Sequence, residues 1–290
     1  MLENILNKSK IIKEIKKIDY ATVYNNLSNT EEIRDAVKIG SEHIDAYDIT
    51  YEVDGLNIKG FIAIPKSVDL NKKNKTAIYL RGGNNWGKPF GEIRVGAIVN
   101  KNAFASYLPH MGYITFYTQY RGLNNQGIDE FGGDDINDVI KLFYIIKELD
   151  FCDSEKIIMM GHSRGGAMIY RALTYDLSIY KAIVIAGISD RARSVTDGWR
   201  EGWREVMQKF FDINDAEELY KRSAVQFYKE MKTIPILIVH GNADENVNVQ
   251  DSIDINKLLP NSKLIIYNDD HNITANRGNL KEEIIKFIAE

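Results

Sequence analysis

The stretch Lys156–Asp176, KIIMMGHSRGGAMIYRALTYD, decides the fold. Ile157–Met160 is a short apolar run that predicts a buried strand, and Ala167–Leu173 repeats apolar residues at helical spacing. Between the two runs, a pair of glycines flanks Ser163 in the pattern G-x-S-x-G. Because glycine has no β-carbon, the chain can turn sharply here from strand to helix and leave the serine exposed. Such a turn presents a hydroxyl at the top of a sheet, which makes Ser163 a candidate nucleophile.

Strand and helix patterns alternate on both sides of this stretch. An opening hairpin is predicted around Asp54-Gly55, helices are predicted over residues 91–112 and 134–149, and a helix follows each later strand. This alternation predicts a mainly parallel central sheet with helices on both faces and an antiparallel edge. Ligands bind such sheets at the carboxyl ends of the strands, where Ser163 lies.

The sequence divides into two predicted regions, residues 1–46 and residues 47–290. The first is expected to be a helical extension, because isoleucines recur at helical spacing in the lysine-rich segment 8–20. That segment favours an amphipathic helix with a solvated basic face, and a membrane or partner helix is the alternative. The second region is expected to be one α/β domain.

One interval, residues 188–233, lacks strand patterns and reads as several helices. It is predicted to be an insertion that forms a helical cap over the strand ends. Its aromatic residues either pack the insertion onto the domain or line a substrate pocket. The aromatic residues in question are Trp199, Trp203, Phe210 and Phe211.

Composition bounds the class of protein. The chain has 290 residues, 44% of them hydrophobic, and a net charge of −4 without a basic patch for nucleic acid. Its one cysteine, Cys152, excludes a disulfide framework within the chain, and a catalytic role for it is not expected. Because neither a signal peptide nor a membrane-length apolar run is recognisable, we expect a soluble, cytoplasmic protein that does not bind membranes.

A serine nucleophile needs a base, and the chain offers five histidines. His271 follows the last strand pattern in a loop at a carboxyl end, and we predict that it is the base. His162 is predicted to turn away from the neighbouring hydroxyl, and His240 to shape a turn. His43 precedes the sheet, and His110 lies where it can cap a helix.

The base in turn needs an acid to orient it. Asp244, in the loop after the strand of PILIVHGNADENV, is the predicted acid, and Asp190, after the preceding strand, is the alternative. Asp269 and Asp270 lie too close to His271 in sequence to orient its ring easily. The order Ser163, Asp244, His271 is that of the α/β-hydrolases.

Three motifs carry a resemblance to a known family. They are GHSRGGAM at 161–168, PILIVHGNADENV at 235–247 and YRGLNNQGIDEFGGDDINDV at 120–139. With these motifs the region from about residue 47 to 290 resembles the catalytic domain of the prolyl oligopeptidase family of serine peptidases. The resemblance implies an α/β-hydrolase fold. Arg121, in the third motif, is expected to brace loops through ion pairs.

The sequence also departs from that family. No β-propeller precedes the domain, Asp270 stands before His271 where a glycine is usual, and the loop after the third strand reads Arg81-Gly82-Gly83 instead of His-Gly-Gly or Tyr-Gly-Gly. The proteolytic members carry a propeller that gates the site. We therefore expect esters to be better substrates than peptides.

An acyl-transfer site also needs donors for a developing oxyanion. The backbone N–H groups of Arg164, just after the nucleophile, and of Gly83 are the predicted pair. Trp86 and Phe90, with Trp199 and Trp203 of the insertion, are the predicted substrate-binding residues.

These residues together predict a serine hydrolase that cleaves an ester or a small amide through an acyl-enzyme, without a metal or organic cofactor. The expected partner is a small ester or short peptide, and the oligomeric state is unknown. A propeller-free peptidase is the alternative within enzymes. A non-catalytic binding module on the same fold is the alternative outside enzymes, although such a module would normally show a broken triad.

Overall fold

A computed structural model describes residues 9–21, 31–83, 100–122, 127–196 and 202–290. Three predicted substrate-binding residues, Trp86, Phe90 and Trp199, lie outside the described residues. The strands are β1 (Ile12–Lys17), β2 (Ile44–Val53), β3 (Leu56–Pro65), β4 (Thr76–Leu80), β5 (Ile114–Thr118), β6 (Ile157–His162), β7 (Ile179–Ile185), β8 (Ile236–Gly241) and β9 (Ser262–Tyr267). The α-helices are α1 (Glu31–His43), α2 (Tyr107–His110), α3 (Ile136–Glu148), α4 (Arg164–Ala172), α5 (Arg191–Thr196), α6 (Trp203–Met207), α7 (Ala216–Lys221), α8 (Ala224–Phe227), α9 (Val249–Leu258) and α10 (Arg277–Ala289).

The described strands form a nine-stranded, mostly parallel sheet, and helices alternate with the strands along the chain. This arrangement confirms the predicted α/β fold class. Contacts between α-carbons divide the chain into two compact units. Unit 1 contains β1 to β3, most of β4, β5 and most of α3, and unit 2 contains residues 80–84, 129–136 and 158–290.

Unit 1 is built on an antiparallel edge. Its strands follow the order β1-β2-β3-β5-β4, in which β4 and β5 are parallel and the other neighbours are antiparallel. Asp54 and Gly55 join β2 to β3 with positive φ angles of 51° and 76°. A two-residue turn with two positive φ angles matches the twist of the flanking strands, so the predicted hairpin is confirmed.

The predicted helix over the lysine-rich segment is wrong for the part that forms β1. Ile12–Lys17 pairs antiparallel with β2, and the register shifts between Ile12 and Glu14. Lysines on β1 face acidic residues of β2, with Lys13 Nζ 2.9 Å from Glu52. Isoleucine is β-branched and favours strands, so pairing with β2 overrides the helical spacing of the isoleucines. The predicted boundary at 46/47 falls within β2, and the domain division stays a prediction.

The helix predicted over residues 91–112 is shorter than expected in its described part. Residues 91–99 lie outside the described residues, and a 3₁₀ turn at Phe104–Ser106 leads into the four-residue helix α2. The side chain of Asn100 accepts a hydrogen bond from the backbone N–H of Asn102 at 3.0 Å. Such a local bond offers the backbone an alternative to the helix, which explains why no helix begins at residue 100.

Arg121 braces the loops of unit 1, as predicted. Its guanidinium donates to Asp138 through NH2 at 2.9 Å and to Asp54 through NH2 at 2.7 Å. Arg121 and Asp138 are both buried. The ion pairs therefore tie the β2–β3 turn to the start of α3, and this prediction is confirmed.

Unit 2 carries the strands β6, β7, β8 and β9 in that order, and β8 is parallel to both β7 and β9. In the described part of the interval between β7 and β8, where the insertion is predicted, there are four short α-helices, α5 to α8. They share a hydrophobic cluster with the loop at 129–136 and with residues near α9. The buried members of the cluster are Phe131, Ile188, Val195, Met207, Phe211, Ile213 and Val247.

Among the described residues, none of the helices is both long enough and apolar enough to cross a membrane.

Candidate active site

Ser163 occupies the turn between β6 and α4. Its backbone adopts φ 56° and ψ −119°, a conformation that residues with a side chain rarely occupy. The Ser163 N–H donates to the carbonyl of Ile185 in β7 at 2.8 Å, and its own carbonyl accepts from the Gly166 N–H at 2.9 Å. These bonds hold the strained serine in place, and its side chain stays partly exposed at the end of the strand.

Glycines around Ser163 are required by close backbone approach. A Cβ at Gly161 would collide with the backbone of Gly165, and a Cβ at Gly165 would collide with the carbonyl of Leu80 at the end of β4. At Gly166 the added atom would lie 2.7 Å from the α-carbon of Gly187. The motif therefore packs the start of α4 against neighbouring backbone, which fixes where the serine points.

Asp244 and His271 are hydrogen-bonded to each other. His271 Nδ1 lies 2.6 Å from Asp244 Oδ2. The other carboxylate oxygen, Oδ1, accepts backbone N–H bonds from Asn246 at 2.7 Å and Val247 at 2.9 Å. Asp244 is buried, whereas the His271 side chain is 12% exposed. The aspartate is thus fixed on its own turn, and the histidine faces outward from it.

Two loops meet to make this contact. At the end of β8, the N–H groups of Asn242 and Ala243 donate to the carbonyls of Tyr267 and Asp269 at 2.9 Å and 3.0 Å. Gly241 lies under the same crossing, because a Cβ there would collide with the carbonyls of Asp269 and Asp270. The close approach brings the loop after β9, with His271, against the turn that carries Asp244.

Asp269 and Asp270 organise the His271 loop from within. The Asp269 carboxylate accepts from the backbone N–H groups of Ala275 at 3.2 Å and Asn276 at 2.8 Å. The Asp270 carboxylate accepts from the N–H of Asn272 at 2.9 Å. The two carboxylates thus bind the backbone of their own loop.

The hydrogen bonds around Asp244 favour the ionised form of the proposed acid. Burial by itself would raise the pKa of Asp244, but hydrogen bonds from His240 and His271 outweigh it and hold that pKa well below the ordinary value of 3.8. A carboxylate oxygen can only accept, so Nδ1 of His271 carries the hydrogen of their bond. His271 Nε2 is then the acceptor nitrogen of the neutral ring, which is the form a general base needs.

The structure does not join the nucleophile to the base by a hydrogen bond. Among the described residues, neither Ser163 Oγ nor His271 Nε2 has a hydrogen-bond partner. Such catalytic hydrogen bonds are often long in unliganded sites and tighten when substrate binds. The two residues are nevertheless linked through His162, which directly precedes the serine.

His162 contacts His271, the predicted base. The sequence did not predict this contact. Its ring centroid lies 4.7 Å from that of His271, and its Nε2 donates to the His271 carbonyl at 3.0 Å. Burial, with the nearby His271, lowers the pKa of His162 to about 3. His162 therefore supports the backbone of His271 as a neutral ring.

His240 contacts Asp244, the predicted acid. The sequence analysis did not predict this contact either. Its Nε2 lies 3.0 Å from Asp244 Oδ2. The spacing H-G-x-x-D, with a histidine at the end of a strand and an aspartate four residues on, was the available signal. A tight turn at Gly241 brings the two side chains together.

Arg164 follows Ser163 directly, and the loop that carries Gly83 approaches the serine through Gly82. Arg164 begins α4, and the N–H groups of a helix's first turn point out of its N-terminal end. The loop before it approaches closely, because a Cβ at Gly82 would lie 3.0 Å from Ser163 Cβ. Arg164 NH1 lies 3.3 Å from the carbonyl of Gly83, whose φ is 71°.

The Arg164 guanidinium is held by buried carboxylates. Its NH2 donates to Asp129 at 2.6 Å and also to Asp135, and its NH1 donates to Asp129 at 3.0 Å. The guanidinium carbon lies 4.4 Å from the centroid of the Phe131 ring. Its side chain is thus used to hold the loop at 129–136, while its backbone lies next to the nucleophile.

The other residues that the sequence singled out make the following contacts. Asp190, the alternative acid, accepts from the backbone N–H of Arg193 at 3.0 Å and so caps α5. Trp203 packs on the insertion cluster, with its ring 6.0 Å from that of Phe131. Burial raises the pKa of Cys152 to about 12, which leaves its thiol protonated and unreactive. In the part of the chain that the structure describes, no three His, Cys, Asp or Glu side chains could together hold a metal ion.

Comparison with solved structures identifies the fold. The acylaminoacyl peptidase of Pyrococcus horikoshii matches with a TM-score of 0.65 at 21% identity, over 84% of this chain and 40% of its own. Est1E from Butyrivibrio proteoclasticus matches with a TM-score of 0.58 at 22% identity, over 84% of this chain and 99% of its own. The fold is that of the α/β-hydrolases.

The chain belongs to the prolyl oligopeptidase family, whose model matches residues 101–289. It is 28% identical over 217 residues to the uncharacterized peptidase YtmA of Bacillus subtilis, a match that covers 73% of this chain and 78% of the relative. It is 26% identical to human prolyl endopeptidase FAP over 88% of this chain, but this covers only 31% of that protein. Family membership makes the chain a serine hydrolase.

Proposed function

We propose that this protein hydrolyses small carboxylic esters through a Ser163–His271–Asp244 triad and a covalent acyl-enzyme. The observation that carries the proposal is the 2.6 Å bond from His271 Nδ1 to Asp244 Oδ2 next to the strained turn at Ser163. That bond leaves Nε2 of the base as an acceptor, on the loop that His162 links to the nucleophile.

The proposed reaction has two acyl-transfer steps. His271 Nε2 takes the proton from Ser163 Oγ as the oxygen attacks the substrate carbonyl, and it returns that proton to the leaving alcohol. Water then attacks the acyl-enzyme by the same route and releases the acid. Asp244 keeps Nδ1 protonated and stabilises the imidazolium that forms in each step, so the carboxylate must stay ionised.

The oxyanion of each tetrahedral intermediate is proposed to lie against the backbone N–H groups of Arg164 and Gly83. Donors that are fixed before the reaction stabilise charge without reorganisation. Two features support this placement: the close approach of Gly82 to Ser163, and the bond from the Arg164 side chain to the Gly83 carbonyl. Trp203, on the cluster beside Phe131, is the described residue proposed to line the acyl pocket.

A small peptidase is the second candidate, and the names of the relatives favour it. YtmA and FAP are named a peptidase and a prolyl endopeptidase, whereas the name of the structural neighbour Est1E does not mention peptides. Amide cleavage demands protonation of a departing amine and therefore a firmly placed substrate. Release of an alcohol from an ester makes a smaller demand of this kind, so we place esters first.

The test compares two substrate series under one set of conditions. We expect kcat/KM for p-nitrophenyl acetate and butyrate to exceed that for aminoacyl p-nitroanilides, with no digestion of folded proteins. Ser163→Ala should lower ester turnover by a factor on the order of 10⁴ to 10⁶ while circular dichroism stays unchanged.

Either of two results would change the proposal. Anilides that turn over faster than esters would make the protein a peptidase with the same site. A folded Ser163→Ala variant that keeps more than about a tenth of the wild-type rate would mean that another residue is the nucleophile.

A further inference from the structure

His240 ends β8 in the interior, and both nitrogens of its ring are hydrogen-bonded. Nε2 lies 3.0 Å from Asp244 Oδ2 and 3.1 Å from the carbonyl of Val247. Nδ1 lies 2.6 Å from the hydroxyl of Ser252, which α9 carries. His240, Asp244 and Ser252 are all buried. The histidine therefore bridges the candidate acid and a helix on the side away from His271.

The partners decide which nitrogen carries the hydrogen. A carbonyl and a carboxylate can only accept, so Nε2 of His240 is the donor to both. In the neutral ring Nδ1 is then an acceptor, and the Ser252 hydroxyl donates to it. The polar chain therefore runs from Ser252 to His240 to Asp244, and His271 donates to the same carboxylate from the other side.

The two imidazoles share one oxygen of the acid. Asp244 Oδ2 accepts from His271 Nδ1 at 2.6 Å and from His240 Nε2 at 3.0 Å, and Oδ1 accepts two backbone N–H groups. Each donor withdraws negative charge from the carboxylate and restricts its rotation. The charge that His271 meets on Oδ2 is thus smaller than it would be without His240.

We propose that His240 is a positioning residue for the acid: it orients Asp244 Oδ2 toward His271 and shares the negative charge of that oxygen. The inference rests on the proposed function, because it assigns His271 as the base of a serine hydrolase. Ser252 supports the same arrangement by donating to Nδ1, which keeps the hydrogen on Nε2.

Other charged and titratable groups near the pair could affect a pH profile. His162 packs on the His271 ring. The Arg277 Nε donates to the carbonyl of Asn272 at 2.7 Å. The carboxylates of Asp269 and Asp270 lie in the same loop and accept its backbone N–H groups. The test therefore leaves these four side chains unchanged and varies only His240 and Ser252.

The readout is the rate constant for labelling of Ser163 by a fluorophosphonate from about pH 5 to pH 9, because labelling needs the base but not the unknown substrate. Removing the N–H of His240 leaves more negative charge facing the imidazolium of His271, which raises its pKa. His240→Phe should therefore shift the acidic limb of the profile upward by about half to one pH unit. It should also slow labelling on the plateau by about tenfold, because Asp244 loses its orientation.

Conservative and control variants separate this role from packing. His240→Gln keeps an amide N–H that reaches Asp244, so its plateau should stay within about threefold of wild type and its acidic limb close to the wild-type position. Ser252→Ala should shift the limb in the same direction as His240→Phe but by less. His43→Gln, a histidine change at the end of α1, is the matched control and should leave the profile unchanged.

Each outcome decides one claim. A wild-type protein that the reagent does not label would remove the proposed function, and this inference with it. If the reagent labels the wild type but the acidic limb of folded His240→Phe coincides with that of the wild type, only the role of His240 is overturned. If His240→Phe does not fold, Ser252→Ala decides: an upward shift supports the inference, and a wild-type profile overturns it.

Discussion

At the scale of single residues, the proposed acid is Asp244, and Asp190, the alternative acid, provides the control. Asp244→Asn keeps the shape of the side chain but lets the amide N–H face His271, which favours the wrong tautomer of the base. We expect kcat/KM to fall by roughly 10³ to 10⁴. Asp190→Asn weakens only the cap of α5 and should cost activity far less.

The comparison is made on folded proteins, with circular dichroism as the check. A larger loss in Asp190→Asn than in Asp244→Asn would reassign the acid to the loop after β7. Equal and small losses would argue against an aspartate-oriented base altogether.

Two buried arginines on Phe131 differ in their counter-ions. Arg164 pairs with Asp129 and Asp135, whereas Arg191 has no carboxylate within ion-pair distance among the described residues. Burial, with nearby Arg222, lowers the pKa of Arg191 to about 9. Both guanidinium groups stack on the Phe131 ring, at 4.4 Å and 4.9 Å from its centroid.

Their substitution should therefore have unequal effects on stability. Arg164→Met leaves two buried carboxylates without a cation and should lower the free energy of unfolding by about 3–5 kcal/mol. Arg191→Met removes a buried charge that has no ion pair, and we expect stability within about 1 kcal/mol of wild type, or higher. Urea denaturation measures both. An Arg191→Met variant that loses as much as Arg164→Met would contradict this account of the pair.

The sequence predicts some of these residue contacts and not others. Ser163 follows from its glycines, and Asp244 and His271 follow from their places after two strands, so their proximity could be anticipated. The contact of His162 with His271 could not, because it depends on how two loops cross at Gly241, whereas the contact of His240 with Asp244 was signalled only by the spacing H-G-x-x-D. A sequence shows that crossing only as a glycine at the end of a strand.

At the scale of elements, the crossing of the loops after β8 and β9 places the proposed acid against the proposed base. Gly241→Ala would push its new Cβ into the carbonyls of Asp269 and Asp270 and move the His271 loop away from Asp244. A displacement of about 1 Å at a catalytic group can cost about 10² in rate. We expect kcat to fall by roughly that factor, with little change in the far-ultraviolet circular dichroism.

Gly278→Ala is the matched control, because nothing lies within 4 Å of a Cβ at that position in α10. Alanine is the better helix former, so stability should rise by up to about 1 kcal/mol and activity should stay at the wild-type level. If Gly241→Ala is as active as Gly278→Ala, the loop crossing does not position His271.

Sequence patterns predict some of the strands and helices but not all of them. The alternation of strands and helices from β4 onward was predictable because each buried strand is a continuous apolar run. The segment at Ile12–Lys17 was not, because isoleucines three apart suit either structure when charges separate them. Its lysines pair with Glu52 and Asp45 of β2, and only the tertiary partner decides for a strand.

At the scale of the whole molecule, the relatives and structural neighbours differ widely in length. The chain covers 78% of YtmA and 99% of Est1E but only 31% of FAP and 40% of the Pyrococcus horikoshii peptidase. Of these, the relatives of similar length are the peptidase YtmA and the structural neighbour Est1E. Fold and family therefore give the class of reaction, and the bond that is cleaved depends on the pocket.

The central claim is that Ser163 is the activated nucleophile of this hydrolase. The most direct measurement is mass spectrometry of the protein after reaction with a fluorophosphonate, with peptide mapping of the modified residue. The account predicts a single adduct on Ser163, which is absent in Ser163→Ala and forms much more slowly in His271→Ala. An adduct on a different residue, or labelling of folded Ser163→Ala at the wild-type rate, would contradict it.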